Sequence, residues 1–308
     1  MATVPSPPLV SIICPVYNNE VGIERTLKAV TAQSYPDRCY EVLVVDNAST
    51  DNTQTVIQSF SNRNSSLVTL LEERDIQSSY AARNKGIRYA NGKYLLFIDS
   101  DMTVDSDWIE SIVHSMQSND VRYMGCRVEI QLPSENPSVA AKYNCALGFP
   151  VRSYLRNRHF VPTCCLSITQ DVIDEIGLFD ETLKSGGDCE FGVRAHEAGI
   201  KQVYDHSIVV YHPARSSLPA LIRKKIRTAR GHEDLVAKYP SRFSHRSPLN
   251  PKNFLPPWPT IFWSRIQNRD SFSSVELLCF YGILYLLKLV SAFTRVHHRY
   301  ASKDGDTE

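Results

Sequence analysis

The 308-residue chain carries eight cysteines but no CxxC pair and no spacing that reads as a disulfide framework. That lack points to reduced thiols and a cytosolic compartment. The N-terminus, MATVPSPPLV, has no basic region followed by an apolar core. No signal peptide is therefore expected, which also places the chain on the cytoplasmic side of a membrane. Net charge is only +1, so nothing global argues for nucleic acid as a partner. The loop after the first apolar run is PVYNNE. It lacks the G-x-G-x-x-G that a dehydrogenase would use to cradle a pyrophosphate. It also lacks the Gly- and Arg-rich loop of a sugar-phosphate nucleotidyltransferase. No internal repeat is present. The 43% hydrophobic and 22% charged content fits an ordinary folded protein, one large domain or a domain plus an appendage.

The chain does have a regular alternation over its first 115 or so residues. Short apolar runs at 9–14, 41–45, 67–71 and 94–98 read as strands. Helical stretches follow at about 21–33, 51–60, 79–90 and 108–116. Strand–helix alternation of this kind predicts a doubly wound, mostly parallel sheet flanked by helices. Further on, 121–130, 160–168 and 203–211 read as strands, with a short helix to Ile176 and another over 188–198.

Carboxylates gather where ligands bind in such sheets, at the carboxyl ends of the strands. The run YLLFI ends in Asp99-Ser100-Asp101. Two acids one residue apart at the end of a buried strand are costly unless a cation is near. A divalent Mg²⁺ or Mn²⁺ carrying a nucleotide diphosphate would meet that need, with phosphate oxygens in the open positions. The plainer reading is a turn and helix cap. Asp46 ends the second strand and can accept hydrogen bonds from a base or ribose. Pro15, Tyr17, Asn18 and Glu20 line the first loop, in the same crevice. Arg83 and Asn84 stand where a helix aims a cation or amide at phosphates, or simply face solvent. In SGGDCEFGVRAHEAG, Asp188 and Glu190 are candidates for a general base. The alternative for Asp188 is a helix cap, and for Glu190 an i,i+4 pair with Arg194. His212 ends a strand before Pro213, where a neutral imidazole would complete a metal site with Asp101.

Four segments occur in order: VSIICPVYNNE, EVLVVDNASTDNT, AARNKGIRYANGKYLLFIDSDM and GLFDETLKSGGDCEFGVRAHEAG. Together they resemble the family 2 glycosyltransferases over roughly residues 9 to 235. The resemblance implies a GT-A nucleotide-sugar fold and an inverting, metal-assisted transferase. On it, Asp46 binds the nucleoside, Asp99 contacts ribose or metal, Asp101 is the principal metal ligand and Asp188 is the base. Uridine is the implied base of the donor, with guanosine next. Where the family often has a second acid after the second strand, this chain has Asn47. Where it often has Glu-Asp in its acceptor motif, this chain has Gly187-Asp188. The Gln-x-x-Arg-Trp motif and the several membrane spans of processive members are absent, which predicts single sugar additions. The expected acceptor is a lipid, lipid-linked or saccharide hydroxyl. The competing reading is a non-catalytic nucleotide-sugar-binding partner of another transferase.

The remainder changes character. A catalytic domain is expected over 1–235, with a donor half to about 130 and an acceptor half from 131. A stiff, Pro-rich linker is expected over 236–273, and a hydrophobic helix with a polar tail over 274–308. Residues 215–246 carry nine Lys or Arg against Glu233 and Asp234. Residues 274–293 are apolar and long enough to span a bilayer, though Glu276 and Lys288 interrupt them. Peripheral contact through 215–246 and 274–299 is the expectation. Packing on the domain, or against a second copy, is the alternative.

Overall fold

A computed structural model describes residues 7–133, 135–243 and 247–301. The start of the N-terminal segment read for a signal peptide, the end of the basic stretch at 244–246 and the polar tail from 302 lie outside the described residues. In chain order the elements are β1 (Val10–Val16), α1 (Glu20–Val30), β2 (Tyr40–Asp46), α2 (Thr53–Arg63), β3 (Val68–Glu72), α3 (Ser79–Tyr89) and β4 (Tyr94–Phe97). Next come β5 (Thr103–Val104), α4 (Trp108–Ser118), β6 (Tyr123–Gln131), α5 (Val139–Leu147), α6 (Val151–Arg158), β7 (Leu166–Thr169) and α7 (Gln170–Ile176). The chain closes with α8 (Gly187–Glu197), β8 (Gln202–Pro213), α9 (Leu218–Lys238), α10 (Pro259–Trp263) and α11 (Ser274–Ala301).

Chain contacts divide the protein into two compact units. The first takes in residues up to Glu129, Pro150–Thr182 and Gly187–His212. The second takes in Ile130–Phe149, Leu183–Gly186 and the chain from Pro213 onward.

The first unit is built on an eight-stranded sheet in the order β3-β2-β1-β4-β7-β6-β8-β5. Its first half is parallel: β1 pairs with β2 and β4, and β2 with β3. Its second half is antiparallel, through β4 with β7, β7 with β6 and β5 with β8. The sheet is thus mixed, with the parallel order confined to the strands that alternate with α1 to α3. The reason is in the strands themselves. β1 is buried along its whole length, as is β4, because helices cover both faces of the parallel half. Ile12, Ile13, Val44, Leu96 and Phe97 form the centre of that core.

One local expectation changes, and one stretch without an assignment proves helical. The run 160–168 is not one strand: Pro162 starts a 3₁₀ turn over Thr163–Cys165, and the strand begins at Leu166. The stretch after LPSENPS holds two helices. Ser138 caps α5 by accepting from the Ala141 amide, and Gly148 ends it at φ 57°.

The second unit is helical. α11 packs on α9 and α5. Phe262, Phe280, Leu221 and Tyr143 form its core. The units divide the chain differently from the three parts expected, since α9 shares a unit with α11. The segment 236–273 is more than a linker, because it holds α10 and contributes Phe262 to this core.

Candidate active site

Parallel register brings the strand ends of the first unit together. Val16 pairs with Asp46, and Asp46 with Glu72. Ile13 pairs with Phe97, and the Ile98 amide donates to the Ile13 carbonyl, so Asp99 emerges beside the end of β1. Strand β1 extends further than its apolar letters indicated. Pro15 is a buried strand residue, and Tyr17 is the first exposed one.

Asn18 and Asn19 stitch the first loop to its neighbours. Asn18 sits at φ 47° and Ala48, in the second loop, at φ 63°. The Asn18 amide donates to Ser49 Oγ at 2.9 Å, and the Thr50 amide donates to Asn18 Oδ1 at 2.7 Å. Asn19 caps α1 through its side-chain oxygen and donates through Nδ2 to the carbonyl and hydroxyl of Ser100, both at 3.2 Å. Asn19 thereby ties the loop that follows β1 to the acidic turn that follows β4. Glu20 opens α1 and is half-buried.

Asp46 is buried, and its Oδ2 accepts from the Ser49 amide at 3.2 Å. Its Oδ1 is buried with no hydrogen-bond partner. A buried acceptor left without a donor is costly and calls for a reason. Asn47 does not act as a second acid would: its Nδ2 donates to the carbonyls of Glu73 and Ile76, both at 2.9 Å, holding the loop after β3.

Helix α3 delivers three side chains. Arg83 is nearly fully buried and donates to Asp99 Oδ1 at 2.6 Å and to the Ser79 carbonyl at 3.2 Å, while its Nε has no partner. Arg83 therefore supplies the cation that the acidic pair requires, and it does not face solvent. Asn84 is buried and grips the segment before α8. It donates to the Phe179 carbonyl at 2.9 Å and to Glu181 at 3.0 Å, and accepts from the Phe179 amide at 3.0 Å. Its side-chain amide is thus engaged by the chain itself, which fixes the approach to α8. The third side chain, Tyr80, carried no signal in the sequence. Its hydroxyl lies 3.5 Å from Asp188 Oδ1 and accepts from the Asp188 amide at 3.3 Å. The Arg83 guanidinium lies over the Tyr80 ring at 5.8 Å. One helix thus links the Asp99 turn to Asp188.

The two residues of the second acidic cluster separate in environment. Asp188 is half-buried at the start of α8, where the helix N-terminus favours an anion. A Cβ on Gly187 would sit 2.8 Å from the Tyr80 ring, so only glycine lets α8 begin there. Glu190 is 1% exposed, and its two oxygens accept from Arg194 Nε and Nη2 at 2.9 Å each. Arg194 also donates to the carbonyls of Ile176 and Leu178. Glu190 thereby anchors the chain between α7 and α8, the i,i+4 alternative.

His212 reaches the acidic turn through the antiparallel register of β5 and β8. Thr103 pairs with Tyr211, which sets His212 opposite Met102. His212 Nε2 is then 3.9 Å from Asp101 Oδ2. Two ligands each about 2.1 Å from one ion lie between about 3 and 4 Å apart, so this pair can share a cation. No group of three or more potential ligands occurs among the described residues. A cation held here would take its other ligands from elsewhere.

The chain matches the family model described as glycosyl transferase family 2 over residues 11–177. It is 37% identical over 224 residues to glycosyltransferase AglE of Haloferax volcanii, covering 73% of each protein. It is 32% identical over 149 residues to the UDP-Glc:alpha-D-GlcNAc-diphosphoundecaprenol beta-1,3-glucosyltransferase WfgD of Escherichia coli, covering 48% of this chain and 56% of that one. Among solved structures, it superposes on the mannosyltransferase PcManGT of Pyrobaculum calidifontis, determined with GDP-Man and Mn²⁺, with a TM-score of 0.65 at 18% identity. That likeness covers 98% of this chain and 88% of the other. With the mixed sheet, the helices around it and the family match over the strand-end acids, the chain belongs to glycosyl transferase family 2 and is a glycosyltransferase of GT-A fold.

Proposed function

We propose that the chain is an inverting transferase that moves one sugar from a UDP-sugar to a hydroxyl of a lipid-linked acceptor, at the cytoplasmic face of a membrane. The observation that carries this reading is the bridge made by α3, with Arg83 on Asp99 at 2.6 Å and Tyr80 against Asp188 at 3.5 Å. It ties a donor end and an acceptor end to one rigid element. WfgD, whose name specifies a UDP-sugar and a diphosphoundecaprenol acceptor, supports the choice of both substrates.

Asp46 Oδ1, buried and lacking a donor, is suited to the imide N–H of a uracil ring. Asp101 and His212 would hold a Mn²⁺ or Mg²⁺ ion, with Asp99 kept beside it by Arg83. Such an ion, when bound, neutralises the charge that develops on the departing diphosphate. Arg83 adds a fixed positive charge at the same place. Asp188 takes the proton of the acceptor hydroxyl as that oxygen attacks the anomeric carbon, and Tyr80 orients its carboxylate. Pro15 and Tyr17 line the donor crevice. Ser100 and Asn18 hold its loops in register, and Glu20 and Asn84 support it from the flanks.

The test is calorimetric binding of UDP, with GDP for comparison, in the presence and absence of Mn²⁺, together with a transfer assay. Wild type is expected to bind UDP only with metal, and Asp101→Ala to lose that binding. Asp188→Asn should bind UDP normally and lose transfer by at least about a hundredfold. Transfer at a comparable rate in Asp188→Asn removes the base assignment. Binding of neither nucleotide removes the donor assignment.

A further inference from the structure

Helix α11 buries Phe280, Leu287 and Ala292 on one side and turns a second apolar face outward, where a helix of a water-soluble protein carries polar residues. Its residues Val275, Leu278, Gly282, Leu286, Leu289 and Phe293 recur at steps of three and four, so they form one stripe along its length. Val275 is 71% exposed, Leu278 72%, Leu286 39% and Phe293 62%, and a side chain on Gly282 would meet open space. The charged residues of the helix are each tied to a partner on the protein. Glu276 accepts from Lys142 of α5 at 2.5 Å. Lys288 donates to the Leu255 carbonyl at 2.8 Å. Arg295 and Arg299 both bind the buried Glu233 of α9, at 2.6 and 3.0 Å, and His298 lies 2.5 Å from Asp234.

These pins decide between crossing a bilayer and lying on it. By length and composition α11 can span. A span would have to detach the Lys142 pair near its start or the Glu233 pairs near its end, and the second leaves the buried Glu233 without its cations. The flank of the stripe has interfacial character as well. Tyr281 and Tyr285 donate to the carbonyls of Pro257 and Phe254, and Phe254 packs edge-on against Phe293 at 5.4 Å. The segment so held exposes Leu255 (57%) and Trp258 (75%) beside the stripe. Trp263 contacts Phe262 and carries the Arg269 guanidinium over its ring at 5.1 Å. Residues 247–273 contain Lys252, Arg265 and Arg269 against Asp270 alone. An apolar stripe bordered by tryptophans and excess cations is complementary to an anionic lipid surface.

We propose that α11 and the segment 254–263 form an in-plane membrane-docking surface. The Val275–Phe293 stripe enters the acyl boundary of an anionic leaflet, and the helix does not span it. None of these residues belongs to the nucleotide site, so docking and transfer can be tested apart.

Cys279, on the edge of the stripe, is the exposed cysteine of the chain and accepts a polarity-sensitive fluorophore. The full chain labelled there is mixed with vesicles of phosphatidylcholine alone, or of phosphatidylcholine and phosphatidylglycerol in equal parts, and flotation is followed in parallel. The expected result is a blue shift and flotation with the anionic vesicles, and release by alkaline carbonate. Leu278→Glu with Leu286→Glu, both solvent-facing and so compatible with folding, should lower partition by about tenfold per site. UDP binding by that variant should match wild type. Resistance to carbonate would mean a spanning helix and overturn the proposal. Undiminished flotation of the double variant would also overturn it. So would a vesicle-free, concentration-dependent dimer that the same substitutions dissolve, because the stripe would then be covered by a second copy.

Discussion

Single residues in this protein take their roles from what surrounds them more than from what they are. Asp188 and Glu190 are two positions apart, yet one lies half-buried at a helix start and the other is clamped by Arg194. Replacing Glu190 with Gln leaves the Arg194 charge buried without its anion. The cost should be roughly 3 kcal/mol, seen as a Tm lower by about 5 °C or more. The kcat of the enzyme that remains folded should be unchanged. A large drop in kcat with normal Tm would instead make Glu190 the base. Asn47 shows the same rule: where a second acid was the family expectation, an amide donates to two carbonyls, which a carboxylate cannot do.

Elements carry effects that no single side chain explains. Helices α6 and α8 end side by side in the first unit, where His159 and His196 stack with ring centroids 3.7 Å apart. They line a cavity of about 500 Å³ with Arg152 and Arg156 of α6, Lys201 and Tyr204. His159 is the left-handed cap of α6, at φ 55°. Burial, and then the neighbouring His196, hold its imidazole below the usual histidine range. A base with a lowered folded value takes up a proton more readily when unfolded. Stability is therefore complete above pH about 6.5, falls as pH drops below that, and levels off once the folded imidazole protonates. Urea midpoints at about pH 7.5 and about pH 5.5 should show a loss on the acid side. His159→Asn, which tolerates the left-handed backbone, should reduce that loss. An equal acid-side loss in the variant would assign it to other groups.

At the scale of the whole molecule, the thiols report how completely the chain is folded. Cys14 is fully buried, and burial, then Asp99, pushes its thiol far up; burial also pushes Cys189 up to about 11. Cys39, Cys126, Cys164 and Cys165 are buried too, Cys145 is half-buried, and Cys279 is exposed. Titration of native protein with a thiol reagent, free of vesicles, should show one fast group, and eight after unfolding. Two or more fast groups would mean that a core is open. The reading of the chain as a whole succeeded where information is local. Continuous apolar runs ending in acids marked the parallel strands, because strands covered on both faces must be apolar throughout and ligands meet such sheets at their carboxyl ends. Four ordered motifs carried the family. Helix α5 had readable caps at Ser138 and Gly148 but a weak apolar period, and the short α6 begins at Pro150 with no side-chain cap to announce it. What only the tertiary structure decided was pairing across long separations: Arg83 with Asp99, Tyr80 with Asp188, His212 with Asp101, and Glu233 with Arg295 and Arg299. Each depends on strand register or helix packing between residues distant in the chain, and a linear pattern records a residue's own preferences without recording its neighbours in space.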